Sequence, residues 1–239
     1  MLPFRRRSRG YRAVGREVET NNLAESLITI LEPGSVAAEA YHGLRTNLLY
    51  SPDNLPKTVV LTSPSPKEGK STICANLSVA LAQVGSKRIL TVDCDLRRPA
   101  LHKLFELQNS SGIADVLMGV RSLQEVWMEP YPGLKVACAG PLPPYPTELL
   151  SSERLSNFLA SVREEFDFVL IDTPPLEVVA DAAILAPQVD GVMLVVDAQH
   201  TGKKSVRKAV RSLRVVRANI LGTVMNKAKP EKGDFYYYN

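Results

Sequence analysis

Between residues 61 and 72 the chain reads "LTSPSPKEGKST", and two other stretches, "LTVDCDLRRP" and "FVLIDTPP", end apolar runs in Asp93, Asp95 and Asp172. These residue types suit one chemistry. N–H groups at a helix start carry partial positive charge and attract phosphate. Lys70 can reach the β and γ phosphates, Ser71 offers a hydroxyl to Mg²⁺, and Gly69 lets backbone approach phosphate without a Cβ in the way. Pro66, Lys67, Glu68, Gly69, Lys70, Ser71 and Thr72 are therefore expected to form a nucleotide loop. A single acid after a strand is commonly a helix cap. Three acids at strand ends beside a phosphate loop point instead to Mg-nucleotide chemistry.

Positioning these groups requires strands that end together. From residue 58 onward, β-branched runs alternate with helical patterns, the signature of an α/β fold with a mostly parallel sheet and crossover helices on both faces. The expected strands are 58–63, 88–94, 134–140, 168–174, 191–198 and 220–226, and their continuous apolar character fits burial on both faces. Ile73, Leu77, Ala80, Leu81 and Val84 recur at helical spacing after the loop, with Gly85 as a stop. Further helices are expected at 35–50, 147–165, 178–186 and 203–217. Residues 98–132 hold short helical patterns, "PALHKLFEL" and "SLQEVWM", broken by Gly112, Gly119 and Pro130.

Composition narrows the class. With 239 residues, 45% of them hydrophobic, the chain can bury one core. The opening segment carries six arginines before its first acid, Glu17, and holds no apolar signal-peptide core. Residues 1–34 are expected as a basic, largely disordered tail, 35–229 as the domain and 230–239 as a flexible tail. No run approaches the ~18 apolar residues of a membrane span, and a cytoplasmic location is expected. Cys74, Cys94 and Cys138 lack metal or CxxC spacing and read as reduced, buried thiols. Residues 203–217 carry seven basic residues and no acid; they read as a solvated helix face or as a contact for an anionic membrane surface. Aromatic-interleaved basic motifs and zinc spacing are missing, so no nucleic-acid partner is expected.

The combination of "SPKEGKST", "TVDCDLRRP" and "VLIDTPP" resembles the Walker A, A′ and B motifs of bacterial tyrosine kinases of the capsular and exopolysaccharide type, a branch of the P-loop ATPases. "EAYHGLRTNLLY" resembles that family's oligomerisation helix, here represented by Glu39, His42 and Arg45, with His42 at an arginine position. "GPLPPYPTELLSS" resembles its PPNPxELL segment, with Tyr145 for asparagine, and "YYYN" its terminal tyrosine cluster. Lys67 departs from a position where the family commonly has glycine.

The resemblance implies a protein-tyrosine autokinase that uses ATP and Mg²⁺. Lys70 would hold the terminal phosphates, Ser71, Asp95 and Asp172 the metal, and Asp93 would help take the proton of the incoming tyrosine. Asn226 would read adenine. Tyr236, Tyr237 and Tyr238 would be phosphoacceptors, reached in trans within a homo-oligomer. From Asn226 to Tyr237 an extended segment spans roughly 36–40 Å at ~3.3–3.6 Å per residue. A separate transmembrane adaptor of the polysaccharide co-polymerase type would place the chain at the inner face of the plasma membrane. Two alternatives remain open at this point. One is a ParA/MinD-like ATPase switch, whose second loop lysine falls at Ser65 here. The other is an ATP-binding regulator without catalysis.

Overall fold

The computed structural model describes residues 25–50 and 55–229, together with the backbone of 11–13 and 16–18. Two three-residue strands, β1 (Tyr11–Ala13) and β2 (Arg16–Val18), pair antiparallel. The main sheet has seven strands. They are β3 (Thr58–Thr62), β4 (Ile89–Asp93), β5 (Trp127–Tyr131), β6 (Leu134–Ala137), β7 (Phe168–Asp172), β8 (Gly191–Asp197) and β9 (Ile220–Asn226), in spatial order β5-β6-β4-β7-β3-β8-β9. All neighbours run parallel except β5 and β6.

Side chains alternate along β3, so Val60 joins one apolar cluster while Val59 and Leu61 join the other. Helices α1 (Ile28–Leu31), α2 (Val36–Leu49), α3 (Lys70–Ala82) and α4 (Leu101–Leu104) contribute to the Val59 side. Helices α5 (Ile113–Met118), α6 (Pro146–Leu150), α7 (Glu153–Glu165), α8 (Asp181–Leu185) and α9 (Lys203–Val215) contribute to the other. Helix α3 is buried from Ile73 to Ala82, which explains its apolar character on every face.

The structure corrects four expectations. Order begins before residue 35: Leu27 and Ile30 are fully covered, and Asn76 fixes the segment by accepting from the Thr29 N–H at 3.1 Å and donating to the Ser26 carbonyl at 2.8 Å. The helix expected over 147–165 is two, because the Ser151 and Ser152 hydroxyls donate to the Thr147 and Leu149 carbonyls and turn the chain between them. The one expected over 178–186 starts only at Asp181 and passes into a 3₁₀ turn at Ala186–Gln188. "SLQEVWM" is a 3₁₀ turn (Leu123–Glu125) running into β5, an edge strand that tolerates Pro130 because no ladder N–H is needed there.

Candidate active site

Strand β3 delivers the phosphate loop, and its neighbours β7 and β8 bring their C-terminal ends alongside. Register sets Asp93 directly opposite Asp172 on adjacent strands. Gly69 caps α3 with φ +90°, a left-handed angle that favours glycine, and a Cβ there would overlap the Asn226 side chain. Lys67 also lies in the left-handed region, at φ +66°. The backbone thus demands at Lys67 the angle a glycine would supply, and a lysine adopts it.

Lys70 organises the acids. Its ammonium lies 3.2 Å from Asp95 Oδ2 and 3.6 Å from Asp172 Oδ1, and it donates to Ser71 Oγ at 3.2 Å. Burial works against its charge, but Asp172 and Asp95 outweigh this and hold its pKa above the ordinary lysine value. Asp172 is fully buried, and neither carboxylate oxygen accepts a hydrogen bond. Burial raises its pKa, while the Lys70 charge opposes the shift.

Asp93 is fully buried as well. Its Oδ2 accepts from the Ala100 and Leu101 N–H groups at 3.0 Å each, and Oδ1 from the Asp95 N–H at 3.2 Å. Burial and the Asp172 charge push its carboxyl up to about 7. Asp93 thus lies beneath the surface and ties down the 95–101 turn, while Asp95 lines the adjoining cleft.

That cleft, about 510 Å³, is lined by Pro66, Lys67, Gly69–Thr72, Asp95, Arg97, Arg98, Leu104, Pro174, Pro175 and Val178 among others. A smaller one of about 310 Å³, lined by Lys67, Glu68, Asp197, His200 and Lys227 among others, lies against the other flank of the loop. Glu68 is buried between them. It accepts from the Ser65 N–H at 2.8 Å and the Asp197 N–H at 3.0 Å, so it braces the loop. Asn226 donates to the Glu68 carbonyl at 2.8 Å and accepts from the Lys227 N–H at 2.9 Å. This contact braces the phosphate loop from the end of β9 and uses one of the two N–H groups of the Asn226 amide. Lys227 extends this brace, donating to Asp197 Oδ2 at 2.7 Å and to the Lys67 carbonyl at 3.0 Å.

Several residues had no signal in the sequence reading. Arg97 donates to the buried Asp181 at 3.0 Å and to Thr147 at 2.8 Å, joining the Asp95 turn to α6 and α8. Loop 173–177 is stitched to the phosphate loop through Leu176 N–H to the Ser63 carbonyl and Ser65 Oγ to Glu177. The expected oligomerisation residues face inward in part. His42 contacts Gln83 at 3.1 Å and Glu39 at 3.3 Å, and Arg45 donates to the Ala80 carbonyl on α3. Tyr236, Tyr237 and Tyr238 lie outside the described residues. The three thiols are buried and unpaired as expected.

The donor set suits magnesium. The Ser71 hydroxyl and the buried Asp172 carboxylate are hard oxygen ligands, and Mg²⁺ binds through one or two carboxylates plus substrate phosphates. Accordingly, no cluster of three or more His, Cys, Asp or Glu side chains forms a metal cage among the described residues.

Comparison with known proteins agrees with this geometry. An AAA domain model matches residues 68–225. The chain is 38% identical to the tyrosine-protein kinase YwqD of Bacillus subtilis (strain 168), over 93% of this chain and 94% of that protein. The crystal structure of the chimerical protein CapA2B2 superposes with a TM-score of 0.82 at 35% identity, covering 87% of this chain and 92% of that one. The kinase domain of the Escherichia coli tyrosine kinase ETK gives 0.78 at 30% identity, covering 86% and 82%. A phosphate loop braced from β8 and β9, three acids gathered by β4 and β7, and relatives matched over nearly the whole length place this chain in the family of bacterial tyrosine-protein kinases.

Proposed function

We propose that the chain is an autokinase that moves the γ-phosphate of ATP to tyrosines of its own terminal cluster, Tyr236 to Tyr238, on a neighbouring subunit. The observation that carries this reading is the Lys70 ammonium held between Asp95 and the fully buried Asp172, beside the phosphate loop that lines the cleft. Loop N–H groups and Lys70 bind the phosphates. Ser71, Asp172 and Asp95 would hold Mg²⁺, which would supply charge neutralisation at the phosphates. As Lys70 turns to phosphate, Asp95 loses its partner and is free to serve the metal side.

The acceptor phenol, with a pKa near 10, must lose its proton to a positioned base. Asp93 takes that role. Its carboxyl, pushed up to about 7, matches a neutral working pH, and Oδ1 carries a single hydrogen bond and so keeps an acceptor site. Reaching it requires the 95–101 turn to shift as the cleft fills. Control of capsule or exopolysaccharide synthesis, and placement at the inner membrane face through a membrane adaptor, follow from the family.

A MinD-like switch has less support. Ser65, where such ATPases carry a second lysine, donates instead to the exposed Glu177 at 2.7 Å. The test is phosphopeptide mass spectrometry of purified protein incubated with MgATP, beside Lys70→Met. Phosphate on the tail, absent in the variant, is expected. A tail left unmodified while ATP is turned over would reject the kinase reading and leave an ATPase. ATP bound without turnover would leave a regulator.

A further inference from the structure

Arg97 and Arg98 both line the cleft, yet only one is committed. Arg97 is pinned by the fully buried Asp181 and by Thr147. The Arg98 N–H caps Asp95 at 2.9 Å, but its guanidinium is exposed and has no partner among the described residues. Leu104, Pro174, Pro175 and Val178 line the same cleft and give it apolar surface that suits an aromatic ring.

We propose that Arg98 selects the acceptor, pairing with a carboxylate two residues before the target tyrosine. Resting on the kinase reading above, this names the substrate class: a tyrosine in an extended segment with an acid at the second position before it. In an extended chain, residues two apart point to one side and lie roughly 6.5 Å apart. An acid so placed can reach a guanidinium of the cleft lining while the ring lies on its apolar surface. Asp234 bears this relation to Tyr236 in "GDFYYYN". Arg98 supplies the charge complement: Arg97 is already neutralised by Asp181 and Lys70 by Asp95 and Asp172, and Lys67, the other cation of the cleft lining, belongs to the phosphate loop itself.

The test uses the full chain at saturating MgATP and three peptides of sequence 226–239, one native, one with Asn replacing Asp234 and one with Lys replacing it. Wild-type protein should show a kcat/KM ratio of roughly 1.5- to 5-fold in favour of the native peptide over the Asn peptide, the range of an exposed ion pair. Arg98→Gln should bring the ratio to about one, Arg98→Lys should keep part of it, and Arg98→Glu should reverse it towards the peptide with Lys in place of Asp234. A wild-type ratio of one overturns the proposal. So does a ratio preserved in Arg98→Gln while both peptides slow equally, which would assign Arg98 to the nucleotide. Failure to phosphorylate any of the peptides while ATP is turned over would overturn the kinase reading itself.

Discussion

Lys67 offers the sharpest check on the geometry of the phosphate loop. A side chain at φ +66° costs about 1–2 kcal/mol relative to the right-handed region. Glycine removes that cost but loses about 0.5–1 kcal/mol through the greater freedom of the unfolded chain. The side chain is exposed and makes no hydrogen bond or ion pair, and the carbonyl that receives Lys227 survives substitution. Lys67→Gly should therefore stabilise the protein by roughly 0.5–1 kcal/mol. Lys67→Val, β-branched in the same conformation, should destabilise it by about 1 kcal/mol or more. Urea denaturation of nucleotide-free protein measures both, with an unchanged slope showing that stability alone has moved. In parallel, loss of the lysine charge beside the phosphates should weaken MgATP binding in both variants. A Lys67→Gly protein less stable than wild type, or a Lys67→Val protein equal to it, would refute the left-handed loop and the reasoning built on it.

Other outcomes follow from the same geometry. The Asp93 carboxyl, raised from 3.8 to about 7 chiefly by burial, keeps its proton in the folded chain at pH values where the unfolded chain has lost it. Its contribution to stability is full below about pH 4 and declines as pH rises to about 7, so between pH 5 and pH 8 wild type should lose roughly 2–3 kcal/mol more than Asp93→Asn. Parallel pH profiles for the two proteins would exclude that shift. At Gly112, a Cβ would overlap backbone atoms of Cys138, Ala139 and Gly140. Gly112→Ala should accordingly cost about 1–3 kcal/mol, and a neutral effect in thermal denaturation would contradict the close approach of these two loops. If the tail is phosphorylated in trans, the initial rate per chain should fall on dilution at fixed MgATP; a rate independent of concentration would show transfer within one chain.

Much of this architecture could be read from residue patterns because it depends on local rules. Six strands carry continuous apolar runs, and the loop, Asp93, Asp95 and Asp172 all fall where those strands stop. Strand β5 escaped because Pro130 and a bulge interrupt its alternation, and because its one partner, β6, lies after it in the chain. Arg97, Thr147 and Asp181 are separated by 50 and 84 residues along the hydrogen bonds that join them, so no local spacing could link them. Asn226 falls at a strand end as expected, but its contact with the Glu68 carbonyl had no local signal, since it depends on how β9 lies beside β8. The depth of Asp93 follows from the 95–101 turn closing over it, which is a matter of tertiary packing.

Strand β9 is held in the sheet by β8 alone, yet its last residue and the one after it grip the phosphate loop through Asn226 and Lys227. An edge strand is the first part of a sheet to exchange its amide hydrogens with solvent. Because loop and strand end share these bonds, neither can open without loosening the other. Occupancy of the loop by nucleotide will thus be recorded as slower deuterium uptake along β9, on the far side of β3 from the acids.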